Sequence, residues 1–136
     1  MLNQVSVFAE NTKGALHKLT AVLADANINI YTMLANDSAE FGIIRLVLTD
    51  PELAVRKLRD AGYQCHIDRV IAVEMADTPG SLDQILEHLR EANVALDYLY
   101  ISYDRQASTP VVIFKTREPE AETFLRGKGY KLVDQF

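Results

Sequence analysis

Two polar loops hold the residues with binding chemistry to offer, Asn11-Thr12-Lys13-Gly14 and Asp77-Thr78-Pro79-Gly80. Each follows a short apolar run, Val5 to Ala9 or Val70 to Met75, and each opens a segment with leucines at helical spacing. Such a loop sets polar side chains beside a helix N-terminus, where unpaired N–H groups and a partial positive charge suit a carboxylate. Gly14 lets a ligand approach the backbone closely, because no Cβ intervenes. Asn11 and Asn29 each offer a donor and an acceptor, enough between them for both ends of a zwitterion. Asp77, beside the second helix start, would repel a carboxylate and attract an amino group. Lys13 reads as a solvated charge or as a steering group for an anion. His17, His66 and His88 show no metal-ligand spacing with one another or with Cys65, so no metal site is expected. Cys65 alternates with Tyr63 and Ile67 and reads as a small buried apolar residue, not a nucleophile.

The loops are two copies of one plan. Thr12/Thr78, Gly14/Gly80, Leu16/Leu82, Leu23/Leu89 and Asn27/Asn93 are identical at an offset of 66, as in 80 − 14 = 66. Later the offset is 67, as in 129 − 62 = 67 for Gly62/Gly129, with Thr49/Thr116, Leu58/Leu125, Arg59/Arg126 and Tyr63/Tyr130 also matching. A repeat at fixed period sets the architecture, here two modules spanning residues 1–69 and 70–136.

The elements that must position the loops follow from periodicity. Val5, Val7 and Ala9 have the period of a strand. Leu16, Leu19, Leu23 and Ala26 form one face of a helix, capped by Asn11 or Thr12 and ended by Asn27 in the left-handed conformation. Ile28 to Leu34 predicts a second strand that contains Asn29, where Asn is depleted and so hard to explain structurally. Asn36-Asp37-Ser38-Ala39-Glu40 is a turn cluster, and Phe41 to Leu48, apolar on both faces, a central strand. Asp50-Pro51-Glu52 starts a helix by cap and first-position Pro, with Ala54, Leu58 and Ala61 inward and Gly62 ending it. No Gly or Pro falls between Tyr63 and Ala76, so the last strand of module one runs into module two without a flexible linker. There Thr78 is expected to cap and Pro79 to open a helix burying Leu82, Ile85, Leu86, Leu89 and Ala92. Val94 to Tyr103, a turn over Asp104 to Thr109, Pro110 to Lys115 and a helix from Glu118-Pro119-Glu120 complete the plan. Each module reads β-α-β-β-α-β, an α+β ferredoxin-like arrangement of antiparallel sheets with helices on one face. Tyr98 and Tyr100 share a strand face with Ser102, as interface packing or as the wall of a ligand side-chain pocket.

Composition narrows the function. A formal net charge of −5 with no basic run argues against nucleic-acid binding. A single cysteine fits a reducing compartment. No signal peptide or stretch long enough to span a bilayer is visible. A cytoplasmic protein without membrane attachment is expected.

The strand, polar-x-Gly-x-Leu, helix and Asn-Ile-Asn-Ile succession resembles the ACT domain, a small-molecule sensor of amino-acid metabolism. It is carried by Glu10-Asn11-Thr12-Lys13-Gly14-Ala15-Leu16 with Ala26-Asn27-Ile28-Asn29-Ile30, and by Ala76-Asp77-Thr78-Pro79-Gly80-Ser81-Leu82 with Ala92-Asn93-Val94-Ala95-Leu96. In ACT domains of the phosphoglycerate dehydrogenase type the ligand sits between side-by-side modules, held by the loop after strand one and by the partner's second strand. The resemblance places that family's loop asparagine at Asn11 and its strand asparagine at Asn29, while its histidine falls on Ala9. Module two has Asp77 and Ala95 at those positions. The implied ligand contacts are Asn11 to Leu16, including Ala15, then Asn29, Ile30 and Tyr31. From module two come Asp77, Pro79, Gly80, Ser81 and Leu82, with Tyr98 and Tyr100.

The resemblance implies a regulatory protein that binds a free amino acid, forms a homodimer, modulates a metabolic enzyme and needs no cofactor. Alternatives are an assembly module with vestigial loops, or the regulatory subunit of an enzyme such as acetolactate synthase. Enzymes on this fold need other residues. An acylphosphatase wants an Arg in the first loop, and metal transfer wants a Cys-x-x-Cys pair there. RNA binding wants basic and aromatic central strands, of which only Phe41 and Phe114 hint. No catalytic constellation is present in the sequence.

Overall fold

In the computed structural model these periodicities become ten elements, for residues 1–36 and 41–136, which are the residues described. The expected turn over Asn36-Asp37-Ser38-Ala39-Glu40 lies outside them except for Asn36. The first half holds β1 (Leu2–Glu10), α1 (Ala15–Asp25), β2 (Ile30–Asn36), β3 (Phe41–Leu48) and α2 (Pro51–Asp60). After β4 (Gln64–Glu74) come α3 (Ser81–Glu91), β5 (Leu96–Asp104), β6 (Thr109–Thr116) and α4 (Ala121–Gly127). The chain divides into two compact units, Asn3–Asp68 and Arg69–Phe136, the latter joined by Met1–Leu2.

Within Asn3–Asp68 the strand order is β2-β3-β1-β4, with β3 antiparallel to both β1 and β2. Alternation along β1 turns Val5, Val7 and Ala9 toward the helices. They are buried with Leu19 and Leu23 of α1 and with Ala54, Val55 and Leu58 of α2. Each fully buried leucine of this kind contributes about 1.5–3 kcal/mol. Within the other unit the order is β4-β6-β5, with antiparallel pairs. Ile71, Val73, Val112 and Phe114 pack there on Ile85, Leu89, Ala121 and Leu125. Its closing strand is reduced to an antiparallel bridge between Val73 and Leu132. The bridge is flanked by Glu74 N–H to Lys131 C=O at 2.9 Å and Val133 N–H to Ala72 C=O at 2.8 Å. Both units thus follow the ferredoxin-like β-α-β-β-α-β plan.

The helix starts differ from the capping expectation. Asp50 does cap α2, its Oδ1 accepting from Leu53 N–H at 3.1 Å with Pro51 next. At α1 and α3, however, the residues preceding the helices are Gly14 and Gly80, which have no side chain to cap with. Ala15 N–H instead donates to Thr12 C=O at 3.1 Å, and Ser81 N–H to Thr78 C=O at 3.2 Å. Gly14 has φ 78° and ψ 2°, and Gly80 has φ 86° and ψ −5°. Those are the angles of the third residue of a type II turn, whose second position favours Pro. Pro79 therefore sits in the turn and not in the first helical position, and Thr12 and Thr78 act through backbone carbonyls. Asn27 does end α1 at φ 58°, and Asn93 ends α3 at φ 56°.

Four apolar or strand assignments also move. Leu16 is 42% exposed, because the strands beneath the first turn of α1 end in small residues. Leu86, 37% exposed, stands one step of about 100° beyond Ile85 and so turns outward. Ala61 follows the end of α2 and is exposed. Asn29 precedes β2, its N–H bonded to Thr49 Oγ1 at 3.1 Å and its C=O to Thr49 N–H at 3.0 Å. The depletion of Asn within strands therefore does not bear on it.

Cys65 is buried among Val55, Leu58 and its neighbours, with Sγ 3.6 Å from Val55 C=O. Burial pushes its thiol up, against the opposing charge and hydrogen bond of Arg59. A group titrating higher when folded stabilises below its unfolded pKa, and that contribution is lost as pH rises past about 8.5. The native protein should react with a thiol reagent at pH 7 far more slowly than the denatured chain, and equal rates would contradict the burial. At Gly14 and Gly80 an added Cβ meets nothing within 4 Å, so only the positive φ opposes substitution. Gly14→Ala and Gly80→Ala should each cost about 1 kcal/mol in urea unfolding. The asparagine variants should cost less, since Asn tolerates this conformation.

Candidate functional site

The type II turn carries the chain from β1 into α1 and leaves an open helix end. Thr12 N–H returns to Glu10 C=O at 3.0 Å, and Lys18 N–H makes the first helical bond to Gly14 C=O at 3.0 Å. The N–H groups of Leu16 and His17 precede that bond and have no helical acceptor. The first turn of α1 contains no acidic residue, so nothing within it offsets the positive end of the helix.

A cleft of about 320 Å³ opens at this end. Glu10, Asn11, Thr12 and the turn from Gly14 to His17 form one wall. Ala9, Ala35, Asn36, Gly42 and Ile44, from the ends of three strands, form the other. The antiparallel register assembles this second wall by placing Ala9 opposite Gly42 and Ala35 opposite Ile44. Gly42 admits no side chain freely, since its Cβ would stand 3.0 Å from Asn36 C=O. Helix-end donors, the polar segment from Glu10 to Thr12 and an apolar floor thus border one small space, an arrangement suited to an α-amino acid.

The structure brings together Asn11, Thr12, Gly14, Ala15 and Leu16 of the expected contacts; Lys13 is exposed beside them. Asn29 and Ile30 line a separate groove along α1 with Thr20, Ala21, Ala24 and Asp25. Tyr31 is half-buried in β2. In the other unit Asp77, Pro79 and Gly80 are exposed at the start of α3. Ser81 there has Oγ 2.7 Å from Thr78 Oγ1, and Leu82 packs on the core. Asp83 adds a negative charge to the first turn of α3. Tyr98 and Tyr100 pair with Lys115 and Ile113 across β5 and β6, and Tyr100 is buried. Sequence reasoning did not single out Glu10, His17, Ala35, Asn36, Gly42 or Ile44 as site residues. A lone glycine near the start of an apolar strand was the available signal, since such a glycine marks close backbone approach.

A second polar group lies elsewhere in the same unit. Buried Ser6 donates to Asp68 Oδ2 at 2.7 Å and accepts from Gln4 Nε2 at 3.0 Å, and His66 Nε2 is 3.1 Å from the same Asp68 oxygen. A hydrolytic triad needs the histidine between serine and carboxylate. Here the carboxylate stands between them, so this group holds the sheet together and activates no nucleophile. Among the described residues no helix is long and apolar enough to cross a membrane.

Comparison with known proteins agrees with this architecture. No curated protein matches the chain by sequence. Among solved structures, protein BT0572 from Bacteroides thetaiotaomicron superposes with a TM-score of 0.89 at 28% identity, over 97% of this chain and 91% of that one. The ligand-free regulatory subunit of aspartate kinase from Thermus thermophilus shares the fold at a TM-score of 0.68 and 11% identity, over 93% of this chain and 90% of that one. The corresponding subunit from Thermus flavus gives 0.63 and 13%, over the same 93% and 90%. The family model of the ACT domain pair matches residues 1–128, and the chain belongs to that family.

Proposed function

We propose that this protein is a non-catalytic amino-acid sensor that binds a free amino acid in the α1 cleft and modulates a partner enzyme of amino-acid metabolism. The carrying observation is the cleft itself, where the open end of α1, with no acid in its own first turn, meets Asn11 and Glu10. An α-carboxylate is held by the Leu16 and His17 N–H groups, gaining about 0.3–1 kcal/mol from the helix end besides its hydrogen bonds. The α-ammonium is held by Glu10 and Asn11. The start of α3 is the poorer carboxylate site, because Asp77 and Asp83 place negative charge there. The regulatory subunits among the structural neighbours share the fold and support a regulatory role by analogy. As a sensor the protein works as a cytoplasmic homodimer, and ligand affinity differs between its two states by about 1–3 kcal/mol of coupling.

The test is a thermal-denaturation panel of the twenty amino acids on dialysed protein. At about 100 times its dissociation constant a true ligand stabilises by about 2.7 kcal/mol, a rise on the order of 10 °C for a chain of this size. Asn11→Ala should abolish the rise and Asp77→Ala should keep it. The reverse pattern would move the carboxylate site to the second module. A flat panel, with no ligand released on unfolding, would leave a module that only assembles with other chains.

A further inference from the structure

We infer that the α1 cleft selects an amino acid with an aliphatic, uncharged side chain; this rests on the amino-acid reading above and narrows it. Three kinds of surface meet in the cleft, and an α-amino acid has three groups to place. The carboxylate belongs at the helix end and the ammonium at Glu10. What remains for the side chain is the wall made by Leu16, Ala35, Gly42 and Ile44. Leu16 is a large apolar side chain left 42% exposed at this mouth, outside the core cluster that buries Leu19 and Leu23. An aliphatic ligand covers it and removes apolar surface from water on both partners. The floor at Gly42 is bare backbone, and its Cβ position already lies 3.0 Å from Asn36 C=O. The space at Gly42 is therefore narrow, bounded by backbone carbonyls, and admits only a slim side chain.

Charge argues the same way. Among the described residues lining the cleft there is no lysine or arginine, and Glu10 is the one carboxylate. An acidic ligand side chain finds no fixed cation in that lining, where His17 is the one imidazole. A basic one competes with the ligand's own ammonium for Glu10, leaving one cation unpaired against an apolar wall at a desolvation cost.

Isothermal titration calorimetry of the full chain with L-leucine, L-isoleucine, L-valine, L-lysine, L-aspartate and L-phenylalanine tests the selection. The aliphatic three should bind at least about tenfold more tightly than the others, as contact with an apolar pocket provides. Leu16→Gln, at an exposed position outside the core, should weaken leucine by about tenfold or more and leave thermal stability unchanged. Glu10→Gln should weaken all of them together. Tightest binding by lysine, aspartate or phenylalanine overturns the selection and leaves the amino-acid reading standing. No binding by any of the six, together with a flat thermal panel of all twenty amino acids, overturns both. Leucine bound equally by Leu16→Gln and the parent chain removes Leu16 from the side-chain wall.

Discussion

The positive φ at Gly14 is the constraint on which the rest of the candidate site depends. At φ 78° the chain turns sharply after Lys13, and Thr12 C=O receives the Ala15 N–H. That bond replaces a side-chain cap and satisfies one donor at the helix start. The next two N–H groups have no helical acceptor, and the first turn of α1 itself carries no acid. An L-residue with a side chain would pay about 1–2 kcal/mol to hold this angle, which is why the glycine stands at this step of both copies. Direction follows from the turn, since β1 ends at Glu10 and α1 must fold back over the sheet to bury Leu19 and Leu23. The helix N-terminus is then set above the ends of the strands.

Those strand ends supply what the loop lacks. An antiparallel register between β1, β3 and β2 places Ala9, Gly42, Ala35 and Ile44 side by side. The small Ala9, Gly42 and Ala35 leave a hollow beside the buried Ile44 where a normal core would continue, and the first helical leucine, Leu16, loses packing partners for the same reason. The cleft is thus a place where packing stops, bordered by donors on one side and by apolar atoms on the other.

The two copies share the turn and diverge in charge. α1 has no acid in its first turn and no base in its last, whereas α3 has Asp83 at its start and His88 and Arg90 toward its end. The second helix is compensated internally, as a structural helix is expected to be. The first has no such compensation within the helix itself, consistent with a charge supplied from outside it. Duplication preserves the backbone device while single substitutions, Asp77 for Asn11 and Asp83 for His17, change what the end of the helix can attract.

Much of the fold was legible because its signals are local. Alternation in Val5 to Ala9, leucines three and four apart, Asp50-Pro51, and asparagines at Asn27 and Asn93 each report on a few neighbouring dihedrals, and the structure realises them. The duplication was legible because identical residues at one offset impose the same local rules twice. What only the tertiary structure decided was non-local. Whether Thr12 and Thr78 cap by side chain or by carbonyl depended on where the helix begins relative to the glycine. Whether Leu16 is buried depended on Ala9, Ala35 and Gly42, which lie near it only through strand pairing. The far wall of the cleft, with Asn36 and Ile44, has no motif at all, because register couples residues distant in the chain through backbone hydrogen bonds that no short stretch of sequence contains.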